Sequence, residues 1–172
     1  MLVSHLRVNS GASGRGQLVA VIDSGIDAGH PDLLKTDQGY DKVVDFIDLS
    51  DEGRLGLNTA VQENGRLNLG GLKVEVPAGT ASGLIWKYAY LSLDFLPAEF
   101  GNRTSRLVAA RNSRAGGPLD TVYIDTDGDG EIKDEAPVKT FASGHQTARI
   151  QGSGNRQFDV VVCSISDKDN YI

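Results

Sequence analysis

The sequence predicts an α+β, β-rich fold, in which a strand of α/β type precedes a mostly antiparallel β region. Three observations predict it. Leu18 to Ile22 form an unbroken apolar run, β-branched at Val19, Val21 and Ile22, as in strands covered on both faces of a parallel sheet. Residues 66–166 instead hold short alternating segments separated by turn residues, the pattern of antiparallel strands. Glycine is abundant, with 21 residues against 5 prolines, which suits many turns between short strands.

Taken in order, residues 9–16 (NSGASGRG) are a polar lead-in and 18–23 (LVAVID) the first strand. KVVDFID, 42–48, reads as a second strand, and the turn-rich segment 50–65 as a polar loop. RLNLGGLKVEV, 66–76, alternates on both sides of Gly70-Gly71 and reads as a hairpin. In 83–93, Ile85, Lys87 and Ala89 alternate with Trp86, Tyr88 and Tyr90, giving a long strand with an aromatic face suited to packing between layers. Residues 98–111 (AEFGNRTSRLVAAR) are the best helix candidate, with Arg103, Arg106, Arg111 and Arg114 forming a solvated basic face in or near it. Segments 119–125, 138–142, 147–151 and 157–166 read as the remaining strands. A first strand buried on both faces needs covering helices, and the rest of the sequence offers few. Either that strand is less buried than it reads, or its cover comes from other sequence.

The chain has 172 residues, with 17 Lys+Arg against 23 Asp+Glu and a net charge of −6. With 40% hydrophobic and 23% charged residues, it has the composition of one soluble globular domain. The acidic balance argues against nucleic acid or an anionic membrane as partner. No apolar run approaches the ~20 residues of a membrane span. The first sixteen residues lack the apolar core of a secretory signal. That leaves location open, since a mature form has lost its signal. Cys163 is the single cysteine, so there is no internal disulfide and no cysteine zinc site; within VVVCS it reads as a small buried side chain rather than a catalytic thiol.

The chemistry concentrates in two places. In Val19 to Leu33, VAVIDSGIDAGHPDL, the first strand ends at Asp23, where α/β enzymes place catalytic groups. Taken alone, such an aspartate is either functional or a turn or helix cap. Asp27 and Asp32 add carboxylates, and His30-Pro31 makes a rigid, extended-then-turning element. This segment resembles the one around the catalytic aspartate of the subtilisin-like serine proteases, the subtilases. The resemblance implies that Asp23 is the triad aspartate, that Asp27 and His30 occupy motif positions outside the triad, and that Asp32 stands where some subtilases place a calcium ligand. A second, looser resemblance runs through KVVDFIDLSDEG, LKVEVPAG, TVYIDTDGDGEIKDE and FDVVVCSIS. Their order is similar to the long insertion between the triad Asp and His of tripeptidyl-peptidase II and pyrolysin-like subtilases.

Together these resemblances imply an organisation. Residues 1–48 would be the N-terminal part of a subtilase catalytic domain, its core partial here. Residues 49–166 would be an inserted, mostly antiparallel β domain, and 167–172 the start of the return. The histidines are His5, His30 and His145, and none lies in the HGTH-type segment of the family; no serine lies in a GTS-type segment. The resemblance therefore implies that the remainder of a peptidase chain supplies His and Ser, that the substrate is a peptide or protein, and that these 172 residues alone are inactive. The uncovered first strand favours self-association near residues 18–23.

The second place is DTDGDGEIKDE, Asp125 to Glu135. Asp125, Asp127, Asp129 and Gly130 match positions one, three, five and six of the EF-hand loop, and Ile132 is apolar at eight, but position twelve is Ala136. Alternating carboxylates repel unless a hard cation joins them, and Ca²⁺, with 6–8 oxygens in flexible geometry, suits such a loop. The expected ligands are Asp125, Asp127, Asp129, Glu131 through its backbone carbonyl, and Glu135 or Asp134. The flanks read as strands, so this is an EF-hand-like calcium loop rather than an EF-hand. A non-catalytic calcium-binding β module with a relic subtilase strand is the alternative to a peptidase portion. A calcium loop leans the location to outside the cell. Asn102-Arg103-Thr104 is a glycosylation sequon, meaningful in a secreted eukaryotic protein.

Overall fold

A computed structural model describes residues 14–23, 25–96, 105–152 and 154–172. Eight strands form among the described residues: β1 (Asn58–Glu63), β2 (Arg66–Leu69), β3 (Leu72–Glu75), β4 (Trp86–Leu91), β5 (Arg106–Asn112), β6 (Leu119–Ile124), β7 (Ala148–Gln151) and β8 (Gln157–Val160). Two single helical turns accompany them, α1 (Pro31–Leu34) and α2 (Phe141–Gly144). Six strands make one sheet in the order β3-β2-β1-β4-β5-β6, all neighbours antiparallel, and β7-β8 form a separate ribbon. The fold is β-rich, as the sequence predicts.

The sheet is buried on both faces at its centre. On β5, Leu107 and Ala109 join one core cluster with Trp86, Tyr123 and Ile132, while Val108 and Ala110 join another with Ala89, Val122 and Ile150. Complete burial of side chains such as Trp86, Leu107 and Ile150 contributes about 1.5–3 kcal/mol each. The hairpin around Gly70-Gly71, the aromatic strand and segments 119–125 and 147–151 fold as strands close to the expected bounds.

Several expectations are corrected. Residues 106–111 of the expected helix lie in β5; the segment 97–104, with Arg103 and the sequon at Asn102, lies outside the described residues, as does His5. Alanine favours helix locally, but Ala109 pairs with both Tyr88 and Tyr123, and this pairing overrides the preference. The basic face is not solvated throughout. Arg106 is 2% exposed. Arg111 lies over the rings of Trp86 and Tyr123, at 5.8 and 5.6 Å, and donates to the Tyr123 hydroxyl at 2.9 Å. The expected polar loop 50–65 contains β1, which turns Ala60 inward and uses Gln62 to accept the Trp86 indole N–H at 3.3 Å. In 138–142 only Val138 pairs, with Val122, before α2 begins; in 157–166 the strand ends at Val160, and Ser166 pairs singly with Tyr171.

The two N-terminal strands do not form. Residues 18–23 have no sheet partner, and Leu18, Val19, Val21 and Ile22 are between 67% and 96% exposed. Nothing in the described chain covers a strand there, so its apolar pattern finds no second layer. Segment 42–48 lies against α2 instead. The Phe46 ring meets Phe141 edge-on at 5.0 Å, and His145 Nδ1 is 3.2 Å from the Val43 carbonyl oxygen. Burial pushes the half-buried Cys163 thiol up, aided by the charges of Asp48 and Asp45, which keeps it protonated and suits the packing role expected of it.

The β region closes on itself. Leu55 N–H donates to the Ile172 carbonyl at 2.8 Å, Ile172 N–H returns to Leu55 at 3.1 Å, and Leu57 N–H donates to Asn170 at 2.8 Å. The Arg54 guanidinium sits 3.9 Å from the centre of the Tyr171 ring. Residues 55–57 therefore lie beside residues 170–172.

Candidate metal loop and the segment around Asp23

Asp125 follows β6 directly and is 2% exposed. Its carboxylate accepts from Gly128 N–H at 2.6 Å and Gly130 N–H at 3.2 Å, so the loop curls back over it. Asp127 accepts from Asp129 N–H at 3.1 Å, and Asp129 from Glu131 N–H at 2.7 Å. Glu135 accepts from both the N–H and the hydroxyl of Thr126, at 2.6 and 2.9 Å, and so ties the end of the loop to its start. Ile132 is fully buried in the core cluster with Trp86 and Leu107, which anchors the loop to the sheet.

One oxygen each of Asp125, Asp127 and Glu135 lie within 4.8 Å of one another; Asp127, Asp129 and Asp134 form a second such group. Two oxygens held 2.3–2.6 Å from one Ca²⁺ are at most about 5 Å apart, so either group can share a hard cation. Burial pushes the Asp125 and Glu135 carboxyls above the usual carboxylate range, and the charge of Asp127 adds to this. Glu131 turns its carboxylate away, accepting from Glu75 N–H of β3 at 2.8 Å, which leaves its backbone carbonyl for the role expected of it.

Beneath the loop lies a residue that the sequence reading misplaced. Arg106 is buried, its charge acts on Asp125, and Nη2 donates to the Gln151 carbonyl at 3.1 Å. A Cβ on Gly128 would come within 2.8 Å of this guanidinium, and Gly128 has φ +86°, so both space and backbone require glycine. Assigning residues 106–112 to a strand beside 119–125 would have placed Arg106 near Asp125. The helix assignment hid that signal.

Asp23 lies in a bend, exposed, at the end of the exposed apolar run; Ser24 is outside the described residues. The strand end expected there is absent in this chain. Asp27 accepts from Gly29 N–H at 3.0 Å, and Ala28 is buried. His30 uses Nδ1 to accept from Asp32 N–H at 3.2 Å, capping α1, with Pro31 at the first helical position. Asp32 itself is 92% exposed. His145 caps the other end of a turn, following α2 with φ +48°.

No family model matches the chain, and no solved structure matches it. Pyrolysin of Pyrococcus furiosus is similar to it, with 27% identity over 160 residues and 76% of this chain covered. The match takes in 11% of Pyrolysin, so the chain spans about a tenth of that relative's length.

Proposed function

We propose that this chain is the part of a subtilisin-like serine peptidase that carries the triad aspartate, Asp23, followed by an inserted β domain with a calcium loop. The observation that carries it is the uncovered apolar run that leads into Asp23. Leu18, Val19, Val21 and Ile22 face solvent as one contiguous run outside the sheet, whose centre buries side chains such as Trp86, Leu107 and Ile150; Ile47 and Leu49 are exposed as well. Such a run is suited to insertion into a parallel sheet supplied by other sequence. The similarity to Pyrolysin and the subtilase-like motif support the same reading. The pairing of residues 55–57 with 170–172 is compatible with the insertion, since it brings the expected return at 167–172 close to the expected start of the inserted domain.

In this reading, Asp23 orients an imidazole, the imidazole deprotonates a serine, and the serine attacks a peptide carbonyl. The remainder of the peptidase supplies His and Ser, and the substrate is a peptide or protein. The purified 172-residue chain is then expected to hydrolyse no peptide and to take up no fluorophosphonate label at serine. Robust, label-sensitive cleavage by this chain would overturn the assignment. The same chain is expected to self-associate through residues 18–23; strictly monomeric sedimentation at high concentration counts against the uncovered strand as an interface.

Asp125, Asp127 and Glu135 are the proposed core of a Ca²⁺ site, with Asp129 and Asp134 beside it and Glu131 contributing its carbonyl. A bound Ca²⁺ would offset part of the loop's negative charge and stiffen its link to the sheet. The loop leans the proposed location to outside the cell; no described helix is long and apolar enough to cross a membrane.

A further inference from the structure

The turn that follows Asp23 lies against the β7-β8 ribbon. Arg149 and Asp159 are directly opposite in that ribbon and form a two-pronged ion pair, Nε to Oδ1 at 2.8 Å and Nη2 to Oδ2 at 2.9 Å. The Asp159 side chain is only 6% exposed, whereas that of Arg149 is 57% exposed. The difference arises because Gly29 closes on the Asp159 carboxylate. A Cβ at position 29 would overlap Oδ2, and the Arg149 Nη2 lies 3.3 Å from that same point. Gly29 does not have positive φ, so glycine is required here by space alone. The charge of Asp27 acts on Arg149, and both line one shallow depression with Phe158 and Asp159. Ala28, between them, is buried.

We propose that the β7-β8 ribbon is the seat of the Asp27–Gly29 turn, which makes Arg149 and Asp159 positioning residues for Asp23, four residues before Asp27. The role of Asp23 rests on the peptidase reading above; the seat does not. An exposed cross-strand ion pair alone contributes little. Here the pair holds a buried carboxylate in place, and that carboxylate receives the backbone of a second segment. The inserted domain would in this way fix the chain direction downstream of the catalytic aspartate, where a small misplacement costs rate.

Amide hydrogen exchange on the 172-residue chain tests the seat. His30 and Leu33 N–H are bonded to Asp27 and His30 carbonyls inside the turn and α1, and report on it. Asp159→Ala and Gly29→Ala are each expected to speed exchange at His30 and Leu33 at least tenfold, with β5 and β6 amides unchanged. The double swap R149D/D159R restores an ion pair across the ribbon but places a carboxylate opposite Asp27. It is expected to recover protection at Ile150 and Phe158 and not at His30 and Leu33. Wild-type protection of the turn in D159A, or its recovery in the swap, overturns the seat. In the polypeptide that supplies His and Ser, D159A is expected to lower kcat about tenfold with KM unchanged. Lost protection with unchanged kcat overturns the positioning role. Absence of serine-peptidase activity in that wild-type polypeptide overturns the reading beneath it and leaves the exchange result standing.

Discussion

Asp23→Asn, in the polypeptide that carries the whole triad, is expected to lower turnover about 10⁴-fold. A carboxylate accepts from the imidazole Nδ1–H, which leaves Nε2 free to take the serine proton, and it stabilises the imidazolium that forms. An amide at the same place presents N–H as readily as C=O. It then favours the wrong tautomer and carries no charge to stabilise the cation. The loss falls on kcat, since Asp23 is not expected to touch substrate. Asp27→Asn is the control. Asp27 accepts from Gly29 N–H within its own turn, and the amide oxygen of Asn preserves that bond, so the substitution is expected to cost far less. Steady-state kinetics on a chromogenic peptide separate the two. Near-normal turnover of the Asp23 variant, or equal losses at both positions, rules out the triad assignment.

How far this could be read from the sequence depends on whether a segment's structure is decided locally. The hairpin at Gly70-Gly71, the aromatic strand and the segment 119–125 carry their own period and turn residues, and they fold as read. The acidic loop was legible for the same reason. Its alternation is local, and the structure brings Asp125 and Asp127 together with Glu135. Two apolar runs were misread in opposite directions. LVAVI looks like a doubly covered strand and is solvent-facing, while LVAA at 107–110, read as helix, is the doubly covered strand. Neither run states what will lie beside it. β5 is a strand because β4 and β6 pair with it along its length, and residues 18–22 lack such neighbours among the described residues. Arg106 and the Arg149–Asp159 pair were invisible for a related reason. Their partners, Asp125, Gln151 and Gly29, are distant in sequence, and no local spacing links them. β1 was missed because one of its faces is solvated, which gives it the composition of a loop.

The second large effect is expected at the acidic loop, where calcium should raise the melting temperature of this chain. A ligand at a hundred times its Kd adds about 2.7 kcal/mol to the folded state. At about 2–4 °C per kcal/mol for a chain of this size, that is about 5–10 °C. Asp127→Ala and Asp125→Ala should fail differently. Asp127 is exposed and common to both carboxylate groups, so its removal is expected to abolish the calcium response and leave the cation-free melting temperature nearly unchanged. Asp125 is buried, holds two backbone N–H groups and faces the Arg106 guanidinium. Its removal leaves a buried cation without that anion, a loss of about 3 kcal/mol, and is expected to lower the cation-free melting temperature by about 6–12 °C as well. The pH dependence has a definite sign. Folding raises the Asp125 and Glu135 pKa values. Without a cation, these two groups favour the fold fully below their unfolded values, and that contribution is lost as pH rises through the raised folded values. Calcium binds the ionised carboxylates, so its increment in melting temperature should grow from acid toward neutral pH. Calorimetry with and without chelator across that range decides it. No increment at millimolar calcium removes the site, and an increment that is constant with pH removes Asp125 and Glu135 from the ion's shell.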